Sequence, residues 1–336
     1  MLRRKKILNI NCIIKAKLHT IRKNYRNLYW WYRVFIFQIF PKILFPGKNT
    51  GSYILRERWD NLIILDACRY DVFKEAYKRR NMRGRLESRI TRGSNTALFL
   101  LENFSSREVF DDIVYVTANP FVDKYLTGKF HKIISVWKSG WSEKYQTVPP
   151  FEVYKYALEA ILKYPNKRLI IHFMQPHFPY LLAPQISGGE LLKYARKRML
   201  GKTESPKTNY GKSIHPFKIA YTDFYLRLPD KVHWLLYRAN LEIVLDYVEK
   251  LIDFLPGTTV ITADHGEAFG EKIHPLLPYR VYGHPPNYRL PTIIKVPWLI
   301  IEPDEKRPRD LKKEIIKTRI LKIKKSDAYK SMKIRN

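Results

Sequence analysis

Asn61-Leu-Ile-Ile-Leu-Asp66 is a short apolar run that ends on an acid. A continuous run of this length, with no polar residue facing either way, is what a strand buried on both faces of a parallel sheet requires. Further runs read the same way: Ile113–Thr117, His131–Trp137, Arg168–Met174, Thr258–Thr262 and Pro297–Ile301. Between them lie helical patterns at Val72–Arg80, at Phe151–Tyr164, which stops before Pro165, and at Tyr237–Phe254. In the last, Leu241, Val244, Leu245, Val248, Leu251 and Ile252 recur at helical spacing, and Pro256-Gly257 ends the pattern. Strand–helix alternation predicts an α/β fold, three layers deep, with a mostly parallel central sheet covered on both faces. Residues 181–232 break the rhythm. They are rich in Gly, Pro, Ser and Lys and read as an insertion or lid.

The chain has 336 residues, with 62 Lys and Arg against 31 Asp and Glu, a formal charge of +31. Apolar residues make up 45%, enough for a large core, so a disordered chain is excluded. Two cysteines, Cys12 and Cys68, exclude a disulfide scaffold. The charge is uneven. Residues 1–58 hold 14 Lys or Arg against the single acid Glu57, and residues 305–336 hold 13 against 4. The body between them, residues 59–304, is only mildly basic.

The N-terminal flank joins a basic stretch, Met1–Arg26, to the aromatic run Leu28–Phe40. Arg33, Gln38, Pro41 and Lys42 interrupt it too often for a membrane span, and it has no small-residue cleavage site. Rings beside cations suit the interface of an anionic membrane; the alternative is a helix docked on the protein's own core. The C-terminal flank spaces Leu311, Ile315, Ile316, Ile320, Leu321 and Ile323 in a near-helical stripe and reads as a solvated basic tail. Nucleic-acid binding has no recognition motif behind it. The Lys, Arg and Ile enrichment fits a heat-adapted, archaeal-like surface.

In open α/β sheets, sites form beyond the carboxyl ends of the strands. Three apolar strands here end in potential ligands: Asp66-Ala-Cys-Arg-Tyr-Asp71, His172-Phe-Met-Gln-Pro-His-Phe-Pro-Tyr180 and Ala263-Asp-His-Gly-Glu-Ala-Phe-Gly-Glu271. Tyr282-Gly-His-Pro-Pro286 follows. Alone, each acid reads as a helix cap and each histidine as a loop residue. Together, Asp and His from several strand ends form the ligand set of Zn²⁺ or Mn²⁺.

Thr262-Ala-Asp-His-Gly-Glu-Ala-Phe-Gly-Glu271, with Pro176-His-Phe-Pro-Tyr180 and the strand-ending Asp66, resembles the sulfatase-like and alkaline-phosphatase-like superfamily over about residues 59–301. Within it, the pattern is most similar to sulfatase-like proteins and phosphoethanolamine transferases. The resemblance implies an alkaline-phosphatase-like fold and a metal-dependent hydrolase or transferase of phosphate or sulfate esters. It implies Asp66, Asp264 and His265 as metal ligands, with His284 as a later one and His274 its competitor. His177 would hold a second metal or the anionic group of the substrate. In Gly93-x-x-Thr96-Ala97 it implies Thr96 as nucleophile, with Ser94 as the alternative, forming a covalent intermediate. Arg92 and Arg69 are nearby cations for the substrate; for Arg69 a salt bridge to Asp71 is the plainer role. The chain departs from true sulfatases: no Cys lies on the nucleophile loop, so formylglycine chemistry is not expected. One metal is expected, and the absence of a clear Asp-x-x-x-His pair leaves a second open. A lipid head group or glycan substrate, an anionic membrane surface and a cytoplasmic or inner-surface location complete these expectations. The rival is a non-catalytic, polyanion- or membrane-binding protein on a degenerate fold of this kind.

Overall fold

A computed structural model describes residues 19–46, 49–106, 108–202, 218–220, 225, 227–303 and 313–323. The basic residues 1–18 and most of 304–336, including Leu311, lie outside the described residues.

The elements run α1 (Leu28–Val34), α2 (Phe40–Leu44), β1 (Asn61–Leu65), α3 (Tyr70–Arg79), β2 (Arg85–Ile90), α4 (Thr96–Phe104), β3 (Phe110–Thr117), α5 (Phe121–Leu126), β4 (Phe130–Ser135), α6 (Val136–Ser139), α7 (Pro150–Lys163), β5 (Arg168–Phe173), α8 (Gly189–Met199), β6 (Lys218–Ala220), α9 (Asp230–Ile252), β7 (Thr259–Thr262), β8 (Ala268–Lys272), β9 (Arg280–Gly283), α10 (Pro291–Ile294) and β10 (Lys295–Ile301). Seven strands form one sheet in the order β2-β10-β7-β1-β5-β3-β4. Pairing is parallel throughout except along β10, which runs against both its neighbours. This is the three-layer, mostly parallel arrangement the alternation predicts.

Strand β1 sits mid-sheet, and the two-residue period of its side chains divides the core. Leu62 and Ile64 face Phe99, Leu100 and Phe104 of α4 and Val122 and Leu126 of α5. Ile63 and Leu65 face the other way, toward a cluster holding Phe73 of α3, Ala157 of α7 and Val244, Leu245 and Val248 of α9. The chain therefore leaves β1 between two covered faces, with only its carboxyl end open for chemistry.

The structure corrects four readings. Strand β2, Arg85-Leu-Glu-Ser-Arg-Ile90, escapes an apolar search because it is a sheet edge and needs no apolar pair of faces. Its Arg89 lies over Trp298 and pairs with Glu87 and Glu57. Residues 181–232 are not only a loop. They contain α8 and β6, and β6 joins β9 and β8 in a second small sheet. In β8, Gly270 sits at φ +97° where the register shifts against β9, a bulge that an alternation search does not find. Helix α9 starts at Asp230, two turns before Tyr237.

The flanks also pack on the body. Beyond α1 the helix takes one π-helical turn at Phe35–Ile39. It buries Ile36 and Phe37 against Ile219, Ala268 and Tyr288, and the Tyr288 hydroxyl donates to the Ile36 carbonyl. The helix at 313–323 is not a solvated tail: Ile316 and Ile320 are buried in the main core cluster, and Arg319 donates to the Tyr154 hydroxyl. Truncating a buried isoleucine to alanine costs about 2–5 kcal/mol. Ile316→Ala should therefore lower the unfolding free energy by about that amount, read from denaturant curves; a solvated tail would leave them unchanged.

Candidate metal centre

Three neighbouring strands, β7, β1 and β5, deliver the centre. Asp66 follows β1 directly, Asp264 follows β7 by two residues, and His172 lies within β5, level with Ile64 in the β1–β5 register. All three are buried. The donor atoms of Asp66, His172 and Asp264 fall within 4.8 Å of one another. His172 Nε2 is 3.8 Å from Asp66 Oδ2 and 3.9 Å from Asp264 Oδ2. His265 Nε2 lies 3.7 Å from Asp66 Oδ1 and 3.4 Å from Asp264 Oδ2.

The turn after β1 is held on all sides. Ala67 adopts φ 60°, the left-handed region that a residue with a Cβ rarely enters. Its N–H donates to Asp264 Oδ1, and its carbonyl accepts from the Tyr237 hydroxyl, which itself accepts the Arg69 N–H. Asn119 Nδ2 donates to Asp66 Oδ2 at 2.7 Å. The His265 N–H donates to Asp264 Oδ1. Gly266 is required sterically, since a Cβ there would lie 2.1 Å from the Thr292 carbonyl. Asn240 of α9 donates to the carbonyls of Pro176, His177 and Pro179 and accepts from Leu181 N–H, so one buried amide clamps the loop that carries His177.

Of the buried side-chain atoms that keep no partner among the described residues, three meet here: Asp66 Oδ1, Asp264 Oδ2 and His172 Nε2. They belong to the three residues whose donor atoms converge. Buried polar atoms are almost always paired, and an unpaired carboxylate oxygen is especially costly. Burial, then the neighbouring Asp264 charge, pushes the Asp66 carboxyl well above its usual range. For Asp264, burial pushes upward but is outweighed by His265, His172 and the Ala67 N–H, and the result is a lowered pKa. Burial holds His172 down to about 4 and also lowers His265, so both imidazoles are neutral and carry a lone pair. Two carboxylates and neutral imidazoles fit a divalent cation, which would satisfy all three orphaned atoms at once.

Thr96, the first residue of α4, points its hydroxyl at this group, 3.3 Å from His265 Nε2. His265 Nδ1 donates to the Gly266 carbonyl at 2.8 Å, which leaves the Nε2 lone pair facing the hydroxyl. Ser94, the alternative nucleophile, is committed elsewhere: its hydroxyl donates to the Pro285 carbonyl and accepts the Asn287 N–H.

His177, Glu267 and His284 form a second group beside the first. The rings of His265 and His284 are 4.3 Å apart, and those of His177 and His284 5.1 Å. His284 Nδ1 lies 3.0 Å from Glu267 Oε1, and the other Glu267 oxygen accepts the Tyr225 hydroxyl at 3.0 Å. No buried atom of this group lacks a partner. Burial pushes Glu267 up to about 7 and holds His177 down to about 3. His284 thus sits on Glu267, and His172 takes the place beside the two carboxylates expected for it. Its competitor His274 is exposed and accepts the Leu276 N–H.

The two arginines expected near the substrate have contacts within the protein. Arg69 is buried in a fork to Asp71 (3.0 and 2.7 Å), a contact with Glu271, a bond to the Glu267 carbonyl and a stack on Trp234. It is a clamp between α3 and β8. Arg92 turns toward Gly51 and Glu102. Cys68 is fully buried, its thiol pushed up by burial. Sequence reasoning missed His172, Glu267 and Asn119 as site residues, although the first two stand in the segments it quoted.

Among solved structures, the chain is similar to the C-terminal periplasmic domain of EcEptC from Escherichia coli in complex with Zn, at 13% identity over 76% of each chain and a TM-score of 0.38. It is also similar to a protein in the alkaline phosphatase superfamily from Vibrio parahaemolyticus, at 16% identity and a TM-score of 0.27, over 62% of this chain and 41% of that one. No family model matches the chain, and no curated protein matches it. Likenesses this distant leave the chemistry to the side chains just described.

A cation-binding pair of carboxylates is strained when empty and relaxed when filled. The chelator-treated Asp66→Asn variant, which removes the carboxyl that burial and Asp264 penalise, should melt at or above the temperature of chelator-treated wild type. Added Zn²⁺ should raise the wild-type midpoint and leave that of the variant unchanged, as a thermal shift series would show.

Proposed function

We propose that the chain is a metal-dependent hydrolase or transferase of phosphate esters, with Thr96 as nucleophile. The observation that carries this reading is the convergence of three orphaned buried atoms, Asp66 Oδ1, Asp264 Oδ2 and His172 Nε2, next to a helix-starting hydroxyl. Asp66, Asp264, His172 and His265 would hold the cation, which supplies charge neutralisation for the hydroxyl and for the transferring group.

The chain's own residues account for the rest. Thr96 gives up its proton to water, because the one lone pair of His265, on Nε2, would be taken by the cation. Its oxygen forms a bond to phosphorus as the ester P–O bond breaks. The free N–H groups at the start of α4 face the transferring oxygens with the positive end of the helix. The hydrogen-bonded His284–Glu267 pair gives a proton to the departing alkoxide. The same pair takes one back from water, or from an acceptor hydroxyl, when the phosphothreonine is discharged. His177, neutral and tied through its Nδ1 to the Phe178 carbonyl, borders the leaving group. A phosphate ester is favoured over a sulfate ester because a plain threonine, not a modified cysteine, stands on the loop.

Thr96→Ala should abolish release of p-nitrophenol from p-nitrophenyl phosphate while metal content, measured by mass spectrometry, persists. Full activity in the variant would remove Thr96 from its role. Absence of both metal and turnover in reconstituted wild type would favour the non-catalytic alternative.

The substrate surface we place at an anionic membrane, on a separate observation. Ile21, Tyr25, Leu28, Trp31, Phe35, Ile39 and Ile43 are all exposed, at spacings of three or four along the N-terminal helical segment. Residues 19–46 carry Arg22, Lys23, Arg26, Arg33 and Lys42 and no acid. An apolar stripe with flanking cations fits the headgroup boundary of an anionic bilayer. No helix among the described residues is long and apolar enough to cross one. Wild type should co-sediment with phosphatidylglycerol vesicles, and a Leu28→Glu/Ile43→Glu variant should stay in the supernatant.

A further inference from the structure

Two loops of the candidate centre run on into a separate cavity. Arg92 and Ser94 line it from the loop that ends at Thr96, and Asn287 and Arg289 line it from the loop that begins at His284. Its volume is about 220 Å³, and its remaining wall includes Lys42 of the N-terminal segment. Ser94 stitches the two loops together through Pro285 and Asn287. Three residues lie between Arg92 and Thr96, so their Cα atoms, four steps apart, can be no more than about 14 Å from each other. The cavity and the nucleophile are therefore opposite ends of one short, doubly anchored stretch of backbone.

The wall is unbalanced in charge. Lys42, Arg92 and Arg289 face a single acid, Glu102. Arg92 reaches that acid with one nitrogen and the Gly51 carbonyl with another, and its Nε is buried with no partner. Arg289 makes no hydrogen bond or ion pair with any described residue. Burial and the neighbouring Arg92 both work against its charge, with Glu102 a weaker counterweight. Guanidinium groups held close with too few acids are in want of an anion, and their planar forks match the oxygens of a phosphate. Pro41 and Phe45 add an apolar side to the same cavity, beside the exposed stripe.

We propose that this cavity is an anion subsite for a second phosphate group, carried by a substrate whose reacting phosphoester lies at Thr96. The proposal deepens the phosphoester reading above and rests on it for the placement of the reacting group. The ligand chemistry is a phosphate on a carbon skeleton, either a lipid head group or a soluble phosphate ester.

The test is binding, so that it stands apart from turnover. Chelator-treated protein, in which no cation can draw phosphate to the centre, is titrated with inorganic phosphate by calorimetry. Wild type and Thr96→Ala should bind equally. Arg289→Gln should bind about tenfold more weakly or worse, the loss expected for a charged hydrogen bond. Lys42→Gln, at an exposed position, should weaken binding less and guards against a folding artefact at Arg289. Equal affinity in wild type and both cavity variants, or loss of binding in Thr96→Ala alone, would overturn the subsite. Glycerol 3-phosphate and dihexanoyl phosphatidic acid, titrated in turn, separate the sources. Tighter, Arg289-dependent binding of the acyl form supports a lipid head group, and equal, Arg289-dependent binding supports a soluble ester. Binding of either that ignores Arg289 counts against the cavity. Failure of the Thr96 reading would show as turnover surviving in Thr96→Ala, with these affinities untouched.

Discussion

Everything in this molecule is arranged around two carboxylates that share one dry place. Asp66 and Asp264 are carried there by adjacent strands, and taking two such groups out of water costs several kcal/mol each unless charge and hydrogen bonds compensate. The fold supplies part of that compensation from Asn119 and from the backbone N–H groups of Ala67 and His265. It leaves one oxygen on each carboxylate unmet. That residue of unmet charge, kept at the ends of strands whose buried positions are mostly apolar, is a standing bias toward a positive ion.

The second histidine group shows the same chain choosing differently a few ångströms away. There the carboxylate of Glu267 is satisfied twice, by His284 and Tyr225, and no buried atom is left over. One group is left with atoms that a cation would satisfy, and the other is hydrogen-bonded within itself. Both depend on polar side chains with no chemistry of their own. Tyr237 pins the left-handed turn, Asn240 pins the His177 loop, and Ser94 pins the loop that ends at Thr96 to the segment after His284. Each lies among groups that would be orphaned without it, so such residues act on the site through position alone.

What could be read beforehand divides along physical lines. Strands buried on both faces announce themselves as apolar runs, and a polar residue at the end of one, such as Asp66 or Asp264, stands out. His172 does not. It lies inside a strand, where a lone histidine among Leu169, Ile170, Ile171 and Phe173 looks like a tolerated core residue, and only the register with β1 aligns it with the carboxylates. Glu267 sits in a quoted motif, but its partners Tyr225 and His284 come from segments that no local pattern connects. Strand β2 and the small sheet were illegible because edges and bulged ribbons need neither alternation nor continuous apolarity. The docking of residues 313–323 hid behind their charge: the buried stripe of Ile316 and Ile320 is narrow, and the basic face around it dominates the composition.

The order of strands in the sheet carries a consequence for assembly. The centre draws on β1, β5 and β7, and some two hundred residues lie between Asp66 and Asp264. No fragment that lacks either end of the body can bring these groups together, and contacts so remote in the chain form late, after many loops have closed. Cation capture is thereby deferred until the topology is finished. A cation held there would be a seal on completed folding, and a partly folded chain would have no means of acquiring it.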